Sequence, residues 1–460
     1  LLYISFRITV RDSRNLSAEN SQHTQKGENY MSMKRKKIAG IGRLARVVSF
    51  LVLALTFCWT PVHASSDYDS DETLLDNLHK KGIVTDEEYE QLKKKDKATD
   101  KVVKFLGGLQ IGTLSYFEYS GGRHDDGQSF NAFRITRGYI NIKKQLTPWL
   151  GFRITPDAHQ DDTGDFKLRL KYLYAEFRPP DIGFLTQMKS EVGMGHMPWL
   201  DFEEHINPYR CQGTMFIERA KTFNSADLGV SLRGNLFGQL DEYYMKNVSK
   251  YYAGRYGSWH LGVYNGGGYH AEEENENKVP EWRFTVRPLP DIVPGLQVHY
   301  FGLYGKGNQD DDAGSPPDYR VNLGMLSYQN EWLTFTGQYA QTWGNNKGSL
   351  VVPDTSEALS GEGYSFFANA KLPVLDRKLN VFARYDHFDP DRKDAVTSGD
   401  DCYDLVNGGL AWEFYHHFMW LLVYERIMYE RNNGGLGEIP EQDNNLEDDW
   451  RVQTVLQIKF

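Results

Sequence analysis

The chain has 460 residues, 14% of them aromatic, with 28 Tyr, 43 Gly and a formal net charge of -10. A mean hydropathy of -0.57 excludes a bundle of membrane helices, but not a sheet that shows lipid only every second residue. No basic stripe lies beyond the first 64 residues, which excludes nucleic acid as a partner.

Residues 1–64 read as an upstream extension plus a signal peptide. Lys34, Arg35, Lys36, Lys37, Arg43 and Arg46 form a basic flank, and residues 47–57 are an apolar run. Small residues then precede Ser65 as a signal peptidase requires. The run is about eleven residues, too short to span a bilayer. Met31 or Met33 would start an ordinary signal peptide. Loss of this segment removes ten bases and three acids and leaves roughly -17. Cys211 and Cys402 then remain, too few for a disulfide scaffold and without metal spacing, although one bridge between them is open. No metal site and no cofactor are expected.

Residues 65–100 form a charged, helix-like segment assigned to the periplasm. Leu74, Leu75 and Leu78 repeat at helical spacing, Gly82 can cap that helix, and Thr85 with Glu88 has the pattern of a capping box. The alternative is a solvated spacer.

From residue 101 to 460 no amphipathic helix appears. About sixteen strands are predicted near 104–119, 129–145, 149–156, 165–179, 183–198, 226–237, 257–266, 280–288, 295–305, 318–330, 332–344, 362–373, 378–389, 403–416, 418–431 and 449–460. Long Asp-, Asn- and Gly-rich connections follow the odd strands and tight ones follow most even strands. The fold class is therefore all-β, a transmembrane antiparallel β-barrel with both chain ends on the periplasmic side. Residues 238–256, long where a short turn is expected, are either a periplasmic insertion or a missed hairpin. In the last strand Trp450, Val452, Thr454, Leu456 and Ile458 alternate with Arg451, Gln453 and Gln457, and Val455 alone breaks the rule. An apolar band of that kind faces outer-membrane lipid, with lipopolysaccharide outside.

Period two sorts side chains by face. Trp282, Phe284 and Val286 go to lipid, so Arg283, Thr285 and Arg287 go to the lumen. By the same sorting Arg134, Arg169, Lys171, Lys189, Glu191, Asp227, Arg233, Glu281, Arg320, Arg384, Asp386 and Arg451 turn inward. Phase slips near Gly138 and Tyr172 read as bulges. A wall richer in bases than acids favours a small anion as solute. Equally, those bases pair with loop carboxylates and line a general polar channel. Residues 199–216 are the constriction candidate, with Asp201, Glu203, Glu204, His205 and Arg210; the alternative places them over the barrel mouth or against a neighbouring subunit. There is no CxxC, CxxCH, HExxH, GxSxG or Walker loop, so no enzyme is indicated. His416 and His417 read as polar turn residues.

Several runs together resemble one family: 193–199 (Gly-Met-Gly-His-Met-Pro-Trp), Phe202-Glu203-Glu204, Phe216-Ile217-Glu218-Arg219, Tyr264-Asn265-Gly266 and Arg384-Tyr385-Asp386. They are similar to the phosphate-selective porin O and P family, over roughly residues 104–460. The resemblance implies a sixteen-stranded, usually homotrimeric outer-membrane channel that favours phosphate through an arginine ladder. Here the constriction candidate carries Asp201, Glu203 and Glu204, and no regular run of bases reproduces the ladder. The expected function is passive diffusion of small polar solutes, anions among them. The alternative is a barrel sheath around a multihaem cytochrome partner.

Overall fold

In the computed structural model the described residues are 79, 81, 85–91, 93, 94 and 107–460, apart from 161, 162 and 311–314. The extension, the signal peptide and most of the 65–100 segment lie outside the described residues. The chain divides into two units, Leu1–Thr99 and Asp100–Phe460.

In the first unit, residues 86–91 are helical. The Thr85 amide donates to Glu88 Oε2 at 3.1 Å and the Glu88 amide donates to Thr85 Oγ1 at 3.3 Å. Two amides that a helix start leaves unbonded are thus satisfied reciprocally. The bonds from Thr85 hold the Glu88 carboxyl below its usual range.

The second unit is a closed barrel of sixteen strands, every neighbouring pair antiparallel. Its first half comprises β1 (Leu109–Arg123), β2 (Ser129–Thr147), β3 (Leu150–Gln160), β4 (Phe166–Phe177), β5 (Leu185–His196), β6 (Ala226–Leu236), β7 (Gly257–Tyr264) and β8 (Val279–Val286). The second half comprises β9 (Leu296–Lys306), β10 (Asp318–Gln329), β11 (Leu333–Trp343), β12 (Ser360–Lys371), β13 (Leu379–Asp389), β14 (Tyr403–Tyr415), β15 (Phe418–Tyr429) and β16 (Asp449–Lys459).

Closure is made by β1 against β16, from Leu114↔Lys459 to Arg123↔Trp450. The last residue joins this ladder: the Thr113 amide donates to the Phe460 carbonyl at 2.9 Å and the Phe460 amide returns at 3.2 Å. Gly112 permits the approach, because a Cβ there would sit 2.4 Å from the Phe460 carbonyl oxygen.

Alternation builds an apolar exterior. On β15, Trp420, Leu422 and Tyr424 are exposed, whereas Leu421, Val423 and Glu425 are buried. On β16, Trp450 and Val452 face out and Arg451, Gln453 and Val455 face in. Such a surface is satisfied by hydrocarbon, and a closed barrel leaves no strand edge unpaired in it.

Five register shifts interrupt the pairing, two of them at the slips expected in β2 and β4. The β1–β2 register skips Thr136, and the β3–β4 register skips Lys171. The second turns Lys171 and Tyr172 both inward and buried. Residues 238–256 hold no missed hairpin. They form an insertion with a bridge from Gln239 to Gly254 and a short helix, α1 (Glu242–Asn247), whose N-cap Asp241 accepts from the Tyr244 amide. Cys211 and Cys402 are both free.

Candidate pore constriction

After β5 the chain turns into the barrel rather than over it, because its composition is that of a protein core. Met197, Trp199, Leu200, Phe202, Met215, Phe216 and Ile217 are almost wholly buried. They pack on inward residues of the far wall: Phe301 and Leu303 of β9, Val321 and Leu323 of β10, Phe388 of β13 and Leu405 of β14. Trp199 stacks on Phe301 at 5.5 Å. Each such side chain contributes about 1.5–3 kcal/mol when fully buried.

Polar anchors fix the segment. The Tyr209 hydroxyl donates to Asn369 Oδ1 at 2.8 Å, Arg384 to the Thr214 carbonyl at 2.7 Å, and Gln453 to the Gln212 carbonyl at 2.8 Å. Arg219 grips Glu425 with two bonds of 3.1 Å, the bidentate geometry that makes a strong pair. From the opposite end the 238–256 insertion also enters the lumen. Tyr252 packs on Phe202 with centroids 5.0 Å apart and donates to Asp201, and Tyr251 covers His205 at 3.9 Å.

These two segments displace the passage to the β1–β6 side. A cavity of about 900 Å³ runs there, from the rim at Lys459 and Phe460 up to Lys171 and Ser225. Nine lysines and arginines line it against four carboxylates. Arg137 lies between the rings of Tyr116 and Tyr139, at 5.0 and 4.6 Å. Arg153 lies 4.3 Å over Tyr172 and donates to Asn141 and His196. Lys171 bonds Ser225 and sits 3.6 Å from the Tyr269 ring. Lys143 and Lys189 stand nearer the rim. None of these five bases has a salt-bridge partner among the described residues.

The acids across the passage are in a different state. Asp201 lies 3.7 Å from both Arg233 and His196, and Glu204 lies 3.2 Å from Arg210, which also pairs with Glu218 at 3.2 Å. Burial alone would raise the Asp201 carboxyl, but His196, His205 and Arg233 hold it well below the usual range. Negative charge on the inner segment is therefore neutralised locally, and Arg233 is paired with Glu191 at 2.7 Å, while Arg137, Arg153, Lys171, Lys143 and Lys189 have no ion pair among the described residues.

Asp201, Glu204, His205 and Arg210 border the passage, as do Lys171, Lys189 and Arg233. Glu203 does not: it is 5% exposed and turned to the wall, accepting from Trp199 and Gln338. Arg134 faces inward opposite Glu118, and Arg169 pairs with Asp157 at 2.9 Å.

Arg320 is corrected to the outer face. It is paired with Tyr304, over whose exposed ring it lies at 4.7 Å. The apolar residues of β10 face the buried segment instead of lipid, which inverts the sorting rule there. Arg283 and Arg287 face inward but line no passage, since Phe202, Tyr252 and Tyr244 cover them. Arg384 and Asp386 bond each other beneath the inner segment, and Arg451 bonds Glu425 at 2.8 Å beneath it.

Sequence reading passed over Arg137, Lys143 and Arg153. Plain alternation with Phe152 and Ile154 would have found Arg153, whereas Arg137 lies just beyond the bulge at Thr136.

No protein-family model matches the chain, and no curated protein matches it. Among solved structures it is similar to an anion-selective porin from Comamonas acidovorans, at 10% identity and a TM-score of 0.53, covering 76% of this chain and 99% of that one. It is likewise similar to OmpF of Salmonella typhi in complex with daunomycin, at 12% identity and a TM-score of 0.53, covering 76% and 97%. At such identities the likeness is one of fold, and that fold is the closed sixteen-stranded barrel of outer-membrane porins.

Proposed function

We propose that this protein is an outer-membrane porin whose passage prefers small anions. The observation that carries this reading is the asymmetry of the lumen. Among the described residues Arg137, Arg153, Lys171, Lys143 and Lys189 are without carboxylate partners, and Asp201 and Glu204 across from them are already paired. A narrow pore with uncompensated bases lowers the cost of partly dehydrating an anion and raises that of a cation. The acidity of the whole chain has no bearing on this, because the field inside is set by the lining. A fold neighbour is itself an anion-selective porin.

Phosphate, implied by the family resemblance, belongs to this class of solute, and a homotrimer follows from the same resemblance. The lumen is occupied by the chain's own residues, which argues against a cytochrome sheath. In a salt gradient across a planar bilayer, the purified protein is expected to show a reversal potential of anion-selective sign. A cation-selective sign removes the proposal. Replacing chloride by phosphate in the same cell measures the preference between the two.

A further inference from the structure

The connection from β13 to β14 lies at the long-loop end of the barrel, away from the passage. It brings Asp389, Asp401 and Cys402 together, with one ligand atom of each within 4.8 Å of the others. Asp401 is 2% exposed, and Thr397 donates to its Oδ2 at 2.9 Å. Asp391, two residues beyond Asp389, is 1% exposed; its Oδ2 accepts from the Val396 amide, and its Oδ1 is buried with no partner.

The nearby arginines are engaged elsewhere. Arg392 bonds Ser360 and Glu362, and Arg431 faces Asp400 and Asp443. Two buried carboxyls, Asp391 and Asp401, thus stand with the half-buried Asp389 and Cys402, and no ion pair to a base is present at them among the described residues; the Asp391 amide donates to Asp389 Oδ1 at 2.9 Å. Buried carboxylates left like this are costly unless they are protonated or hold a cation.

We propose that Asp389, Asp401 and Cys402 form a binding site for a divalent transition-metal ion of the zinc class, with the Asp391 carboxylate as the charge behind them. The thiol decides the class. Calcium and magnesium need six or more oxygen ligands, whereas sulfur with carboxylate oxygen suits zinc and its softer neighbours. Ligands of a tetrahedral zinc, bonded at about 2.0–2.3 Å, lie roughly 3.5 Å apart, so these atoms, within 4.8 Å of one another, need to close by roughly 1 Å to hold an ion. Glu430 follows β15 and accepts the Cys402 amide at 3.0 Å. An ion here would pin the two ends of the β13–β14 connection to each other. Binding through the Cys402 sulfur would displace the thiol proton.

The inference is independent of the channel reading. Cobalt(II) added to the detergent-purified full chain is expected to give a thiolate-to-metal charge-transfer band that one equivalent of zinc removes. The band should persist in Cys211→Ser, vanish in Cys402→Ser and need at least tenfold more cobalt in Asp401→Asn. Absence of the band, or its survival in Cys402→Ser, overturns the proposal. If Cys402→Ser does not form a barrel, maleimide labelling of Cys402 in Cys211→Ser decides: zinc should slow it tenfold or more, and an unchanged rate overturns the site.

Discussion

The walls formed by β2–β6 and by β8–β16 both place basic side chains on inward strand positions, yet they use them in opposite ways. On the first wall Arg137 and Arg153 stand on tyrosine rings with no acid partner and face the cavity. On the second, Arg384 is 3% exposed and bonded to Asp386, and Arg283 is fully buried beneath Phe202. Strand phase alone does not separate them. What separates them is a segment of the same chain that lies on one wall and leaves the other open, so an inward arginine is either structural cement or part of the conduction path according to what covers it.

Removing the cement is the largest perturbation of this contrast. Arg384→Ala leaves Asp386 buried without its partner, at a cost of roughly 3–5 kcal/mol, and also frees the Thr214 carbonyl. Faster hydrogen exchange over residues 206–219 and a larger, noisier single-channel conductance are expected. Unchanged exchange and conductance would show that the inner segment does not depend on this wall.

A pH series sharpens the same point. Burial lifts the Glu203 carboxyl from its ordinary 4.5 to about 7, although Gln338 and Trp199 both donate to it. Folding then favours the protonated form. Its contribution is fully present below pH 4.5 and is lost as pH rises through 7. Attachment of the inner segment, followed by open-channel noise, should weaken over that window, and Glu203→Gln should flatten the dependence. A profile identical in both proteins would assign the noise to another group.

The smallest expected effect is the most specific. One unit charge at 4 Å in water amounts to about 1 kcal/mol, or roughly fivefold in relative permeability. Arg153→Gln should lower anion over cation permeability by about that factor, while Arg283→Gln should leave the reversal potential where it is. Equal shifts in both variants would erase the distinction between the walls.

Much of the architecture is legible along the chain because a membrane sheet imposes period two wherever one face meets lipid. The β8 sequence reads Trp282, Phe284 and Val286 outward and Arg283 and Thr285 inward, and the barrel has them so. The slips near Gly138 and Tyr172 correspond to extra residues at Thr136 and Lys171. The capping box at Thr85 and Glu88 is likewise local, needing only four residues to be satisfied. Legibility fails where the inner face is itself apolar. On β10, Tyr319, Val321, Leu323 and Met325 point inward to the buried segment, and Arg320 lies on the outside with Asn322.

By itself, the sequence determined the strands, their turns and the joining of both ends into a closed ring, since those depend on alternation and hydrogen bonding between consecutive neighbours. Tertiary structure alone decided which bases face the solute. Residues 197–225 reach Asn369, Glu425 and Gln453 across more than a hundred positions, and Phe202 and Tyr252 come from outside β8 to cover Arg283. Exposure inside a lumen is a property of what fills it, and no repeat along a single strand records that.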